Sequence, residues 1–99
     1  MARRVETPVS SHVAVLQELR WGEASARVLI SSIAERTGGY VRIHTSLVYK
    51  ALYYLLDQGL VRQLAGSSRQ AGATFKLTAK GAQLAARQAD ALRALFEHP

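Results

Sequence analysis

The sequence predicts a mainly α fold carrying one β-hairpin, and three observations predict it. Apolar residues recur at helical spacing in four separate segments, near residues 9–20, 23–36, 46–58 and 79–97. The period changes to strict alternation after Gly59, on either side of a glycine-bounded loop. Finally, 99 residues of which 48% are hydrophobic and 20% charged suffice for one folded core and not for two.

Residues 1–8 read as an N-terminal tail that ends in a helix opening. There Thr7 supplies an N-cap hydroxyl and Pro8 takes the first helical position. Val9, Val13 and Leu16, with His12, Val15 and Leu19 beside them, carry the first helix to the Trp21-Gly22 break. Trp21 is expected to fill the core or a helix junction, ahead of a ligand-stacking role. A second helix runs from Glu23 to Arg36, with Ala26, Leu29, Ile30, Ile33 and Ala34 as its apolar stripe. Thr37-Gly38-Gly39 stops it. Tyr40 to Ile43 alternates and is rich in β-formers, so it is expected to be extended, as a brief strand.

Thr45 or Ser46 then caps a third helix over 46–58, the best-defined element, whose buried stripe is Leu47, Val48, Ala51, Leu52, Leu55 and Leu56. Beyond Gly59, residues 60–65 alternate as a strand, residues 66–72 form a polar loop, and Ala73 to Leu77 returns antiparallel. Thr78 caps a last helix from Ala79 to Glu97, on which Ala85, Ala89, Leu92 and Phe96 repeat with the four-three-four spacing of a packing seam.

Helix, helix, turn, helix, hairpin and long helix is the order of a winged helix-turn-helix, with residues 9–78 as the winged-helix unit and 79–99 as a dimerisation helix. That helix could instead pack on its own domain; its alanines allow close approach in either case. The start of a recognition helix reaches base edges in the major groove of double-stranded DNA first. The residues at that start are Arg42, His44, Thr45, Ser46, Tyr49 and Lys50, with Tyr53 one turn beyond. All can hydrogen-bond, and two are cationic. Of the tyrosines, Tyr49 is favoured for DNA and Tyr54 for packing; His44 serves equally as a cap or a base contact. Arg62 and Lys76 should face each other across the hairpin, either as plain solvated positions or as phosphate contacts. Arg69, at the loop tip, is positioned for a minor groove or a phosphate.

Charge agrees with this reading. The net charge of +6 lies wholly between Arg36 and Lys80, where seven basic residues meet a single acid, Asp57. A polyanion would be met by the middle of the chain. Other classes find little support. No cysteine is present, which fits a reducing cytoplasm and removes thiolate metal sites. No apolar run approaches the ~20 residues that span a bilayer. His12, His44 and His98 fall in three separate elements without ligand spacing, so no metal or other cofactor is expected. The serine pairs have no base beside them, and the reading is of a non-enzyme.

Three motifs in order resemble the PadR-type winged-helix regulators, and more distantly the MarR type. Val48-Tyr49-Lys50-Ala51-Leu52 is similar to that family's Leu-Tyr-Pro-Ala-Leu, and Leu56-Asp57-Gln58-Gly59-Leu60 to its Leu-Glu-x-x-Gly-Leu. Phe75-Lys76-Leu77-Thr78-Ala79-Lys80-Gly81 is similar to its Tyr-x-Leu-Thr-x-x-Gly. The resemblance covers about residues 24–81. Lys50 stands where the family has proline, and the basic wing tip is reduced to Ser68-Arg69-Gln70. The resemblance implies a homodimer that represses transcription from a palindromic operator, with small aromatic or lipophilic molecules as the class of effector. The same fold also serves plasmid partition and replication, and protein-interaction modules, and the surface chemistry of the sequence does not separate these.

Overall fold

The structure, a computed structural model, describes residues 10–64 and 72–97. The proposed opening at Thr7-Pro8 lies outside them, as do Arg69 and the tip of the hairpin. Helix α1, Ser11–Glu18, opens on Ser10, whose hydroxyl accepts from the Val13 amide at 3.4 Å, and continues into one 3-10 turn over Leu19–Trp21. Its buried stripe is Val15, Leu16 and Leu19.

The second helix starts later than its apolar period suggests. Ala24–Ser25 is a short strand, β1, and Ser25 then caps α2, Ala26–Arg36, by accepting from the Val28 amide at 3.3 Å. Ser25 thus ends a strand and begins a helix. Thr37 closes α2: its hydroxyl donates to the Ile33 carbonyl at 2.8 Å and accepts from the Val41 amide at 3.0 Å. That bond ties the turn to the segment that follows. Residues 40–43 pair with no strand, so of the expected extended segment and brief strand the strand is absent. Ile43 is buried and Val41 half-buried, so the β-rich composition there serves packing.

Helix α3, Thr45–Asp57, buries Val48, Ala51, Leu52 and Leu55 almost completely. Leu47, read as part of that stripe, is 45% exposed. After α3 come β2, Val61–Gln63, and β3, Thr74–Leu77, in register Val61↔Leu77, Arg62↔Lys76 and Gln63↔Phe75. On its other side β3 pairs with β1, Ala24 opposite Phe75 and Ser25 opposite Thr74, giving the antiparallel order β1-β3-β2. The hairpin is therefore the larger part of a three-stranded sheet. Phe75, fully buried at the centre of that sheet, meets a core built from Val15, Leu16, Leu29, Val48, Leu52 and Val61. Helix α4, Ala79–Glu97, completes the chain.

One ion pair joins the first two helices. Glu18, 8% exposed, receives Arg36 Nε at 2.9 and 3.2 Å and Nη2 at 3.0 Å. The Arg36 guanidinium also lies 5.0 Å from the ring centroid of Trp21. The hydrogen bonds that Arg36 donates to this carboxylate hold the guanidinium still more firmly in its charged form. Trp21 is 68% exposed, so of the two places expected of it the core is excluded: it lies at the junction of the first two helices, as the outer wall of the ion pair. Removing only the arginine strands a buried carboxylate. Arg36→Met is therefore expected to lower the melting temperature by several degrees, and Glu18→Met added to it to recover most of the loss. A double variant melting below the single one would contradict this account.

Candidate nucleic-acid interface

With one face of α3 committed to the core, its chemistry points the other way. Thr45, Ser46, Tyr49, Lys50 and Tyr53 are all exposed. At 100° per residue they span an arc of about 140° opposite Val48, Ala51, Leu52 and Leu55. His44 occupies the N-cap by its backbone, a position the sequence had given to Thr45 or Ser46, yet its exposed ring makes no capping bond. The ring is therefore presented at the helix start. Tyr54 lies off this arc and packs edge-on against His12 of α1, centroids 4.8 Å apart. Tyr54 makes a packing contact, as expected, yet it is 51% exposed, whereas Tyr49, favoured for DNA, is the least exposed of the three at 37%.

The arc is braced from behind. Tyr49 stacks on Tyr53 at 6.3 Å and 22°, and Tyr53 meets the edge of buried Phe75 at 6.5 Å and 88°. A series of three rings thus joins the exposed helix face to the central strand. Such contacts fix ring orientation while leaving both phenol groups at the surface.

A cleft of about 370 Å³ opens between the starts of α2 and α3, lined by Ala26, Arg27, Ile30, Ser31, Thr45 and Tyr49. Arg27 and Ser31 had no functional place in the sequence reading. In a helix that begins at Glu23, Arg27 falls in the second turn. With Ser25 as the cap it sits in the first turn, beside the arc. The serine followed three residues later by a hydrophobic stripe was the signal that could have found it.

The basic surface divides by role. Arg36 is engaged by Glu18, and Lys80 Nζ donates to the Gln58 carbonyl at 3.1 Å. Arg42, Lys50, Arg62 and Lys76 are exposed and make no ion pair among the described residues. Arg42 folds back over the turn, so that a Cβ added at Gly39 would come within 3.0 Å of its guanidinium. Arg62 and Lys76 oppose each other across the hairpin, as expected. Like charges in direct register repel each other unless an anion lies between or over them.

The seam assigned to α4 is only partly free. Ala85 is fully buried in the chain's own core, so it is not available to a partner helix. Ala89 and Leu92 are half-buried, whereas Leu95 and Phe96 are 73% and 83% exposed. One apolar stripe therefore runs the length of α4: its first half covers this domain, and its second half extends uncovered.

Among the described residues no helix is long and apolar enough to cross a membrane, and no group of His, Asp or Glu is arranged to hold a metal ion. No protein-family model matches the chain, and no curated protein does. Solved structures do match. A transcriptional regulator from Clostridium thermocellum superposes with a TM-score of 0.76 at 15% identity, over 88% of this chain and 84% of the other. A PadR-like transcription factor from Bacteroides fragilis gives 0.71 at 20% identity, over 87% and 82%. Bacillus subtilis PadR in complex with operator DNA gives 0.64 at 26% identity, over 78% of this chain but only 45% of that longer one. The fold is a winged helix. The three neighbours are transcriptional regulators rather than enzymes, and two of them are PadR or PadR-like, the type that the three motifs resemble.

Proposed function

We propose that this winged-helix chain is a sequence-specific DNA-binding transcriptional regulator that acts as a homodimer on an inverted repeat, as a repressor. The observation that carries the reading is the arc from Thr45 to Tyr53: five hydrogen-bonding side chains on the solvent face of α3, without an acid among them, flanked by Arg42 and Arg27. A helix so furnished matches the needs of major-groove readout, in which side chains meet base edges and nearby cations meet phosphates. The first helix of the pair crosses the backbone in such complexes, which is where Arg27 would stand. Arg62 and Lys76 on the hairpin suit a neighbouring phosphate, which would relieve their mutual repulsion. The operator complex of the PadR neighbour supports duplex DNA as the partner.

For the dimer, the support is the uncovered half of α4. Leu92, Leu95 and Phe96 form a seam that a second copy would bury, with Ala89 beside them in place of Ala85 as its small residue. An aromatic or lipophilic effector, the ligand class implied by the PadR resemblance, would find its apolar surface at that same seam.

Selection of bound sequences from a random duplex library tests this reading. The expected product is an inverted repeat with half-sites about 34 Å, one helical turn, apart. Enrichment of a single unrepeated site would remove the dimer from the reading, and no enrichment at all would overturn it.

A further inference from the structure

Helix α4 leaves the domain as a lever with two fixed points. The first is its N-terminus, where Thr78 Oγ1 donates to the Gly59 carbonyl at 2.7 Å and accepts from the Gly81 amide at 3.0 Å. The second lies one to two turns on, and a single side chain makes its polar contacts. Gln17, on α1, donates from Nε2 to the Ala85 carbonyl at 2.8 Å and to Gln88 Oε1 at 3.0 Å. Its own Oε1 accepts from Arg20 at 3.2 Å, which fixes the amide so that its nitrogen faces α4. A helical carbonyl keeps a second lone pair for such a bond. Beyond Gln88 the helix runs on for nine residues, roughly 14 Å at 1.5 Å per residue, to the exposed Leu95 and Phe96.

The clamp thus sets the angle between the arm that carries the dimer seam and the domain that carries the α3 arc. In a two-fold dimer with reading helices ~34 Å apart, each stands ~17 Å from the axis. The swing acts about the clamp: α1 packs on both α4 and α3, and packed helices lie ~8–10 Å apart, so α3 stands up to roughly 20 Å from that pivot. A swing of about 10° then displaces each reading helix by ~3 Å, and directed along the line between the two helices it changes their separation by nearly two base-pair rises of ~3.4 Å. We propose that Gln17 is a positioning residue that sets the half-site spacing the dimer accepts, an inference that rests on the reading of this chain as a dimer on an inverted repeat. Gln17 need not touch DNA to do this: it selects spacing through α4.

The test compares the full-length protein with Gln17→Met, which keeps the side-chain length and loses all three hydrogen bonds, and with Gln88→Met, which loses one. Each is titrated against inverted repeats of the selected half-site whose separation changes by single base pairs, and against one isolated half-site. The wild type is expected to favour one spacing by at least about tenfold over those two base pairs away. Gln17→Met is expected to flatten that preference to within about threefold while binding the isolated half-site within about twofold of wild type, and Gln88→Met to fall between. A variant that is merely less stable would lose affinity for both kinds of duplex in parallel and keep the wild-type optimum, and that result overturns the inference. If Gln17→Met does not fold, an unchanged profile for Gln88→Met overturns it instead. A wild type that binds every spacing equally refutes the role of Gln17 and leaves DNA binding intact. A wild type that binds no duplex refutes the parent reading with it.

Discussion

Replacing Gly81 by alanine is expected to destabilise the protein by more than about 3 kcal/mol, the largest effect of a methyl group added at any of the described glycines. A Cβ at that position would lie 1.8 Å from the Leu60 carbonyl oxygen, 2.8 Å from its carbon and 3.2 Å from its Cα. All three atoms are backbone, so no rotamer change relieves the clash. Moving the carbonyl aside is also costly, because it accepts the Thr78 amide at 3.0 Å, part of the same cap that anchors α4. The alternative is for α4 to back away from the domain, which uncovers Ala85 and strains the Gln17 bonds. For a domain of this size each kcal/mol moves the melting temperature by about 4–8 °C, so a fall of ~12 °C or more should be seen by circular dichroism. Gly59→Ala is the comparison. That residue has φ +74° and open space around its missing Cβ, so its cost is confined to the backbone, about 1–2 kcal/mol. If Gly81→Ala melted no lower than Gly59→Ala, the close packing of α4 on Leu60 would not be what holds the helix in place.

Gly81 also illustrates how far the sequence could be read. It was visible there only as the last letter of a motif; the contact that makes a side chain intolerable lies 21 residues away, at Leu60. The helices were legible because their apolar periods are long: α3 and α4 lie within one residue of their expected bounds. Strand β1 was not, because two residues have no period and because Ser25 also carries a helix-cap signal. The exposure of Trp21 at the helix junction was not legible for a related reason. An aromatic ring at a helix end is usually covered, but here its companion is Arg36, which is 15 positions away and held by Glu18. Ala85 followed the same pattern. Seam spacing showed which residues of α4 align, but not which of them the chain's own core had already taken. Local chemistry is written in the order of residues. Its use by distant elements is not.

The distinction matters most for charge, and it leads to the prediction with the largest effect on binding. The +6 of the sequence is a bulk quantity, whereas the structure separates Arg36, occupied by Glu18, from Arg42 and Lys50, which make no ion pair among the described residues and lie beside the α3 arc. Arg42→Ala with Lys50→Ala is expected to weaken binding to the selected duplex by roughly ten- to a hundredfold near 0.1 M salt. The salt dependence is more diagnostic than the loss itself. Each phosphate contact releases condensed counterions, so the slope of log affinity against log salt should become shallower by about 0.9 per cation removed, roughly 2 in all. Arg87→Ala with Arg93→Ala, on α4, lowers the net charge by the same amount, and Arg93 already faces Asp90 at 3.1 Å. That pair should leave the slope within about 0.5 of wild type, since those residues meet no phosphate. Were attraction merely a matter of total charge, the two double variants would lose affinity and slope alike. Fluorescence anisotropy over a salt series distinguishes the cases. Equal slopes for the two would mean that the arc on α3 is not the surface that meets DNA.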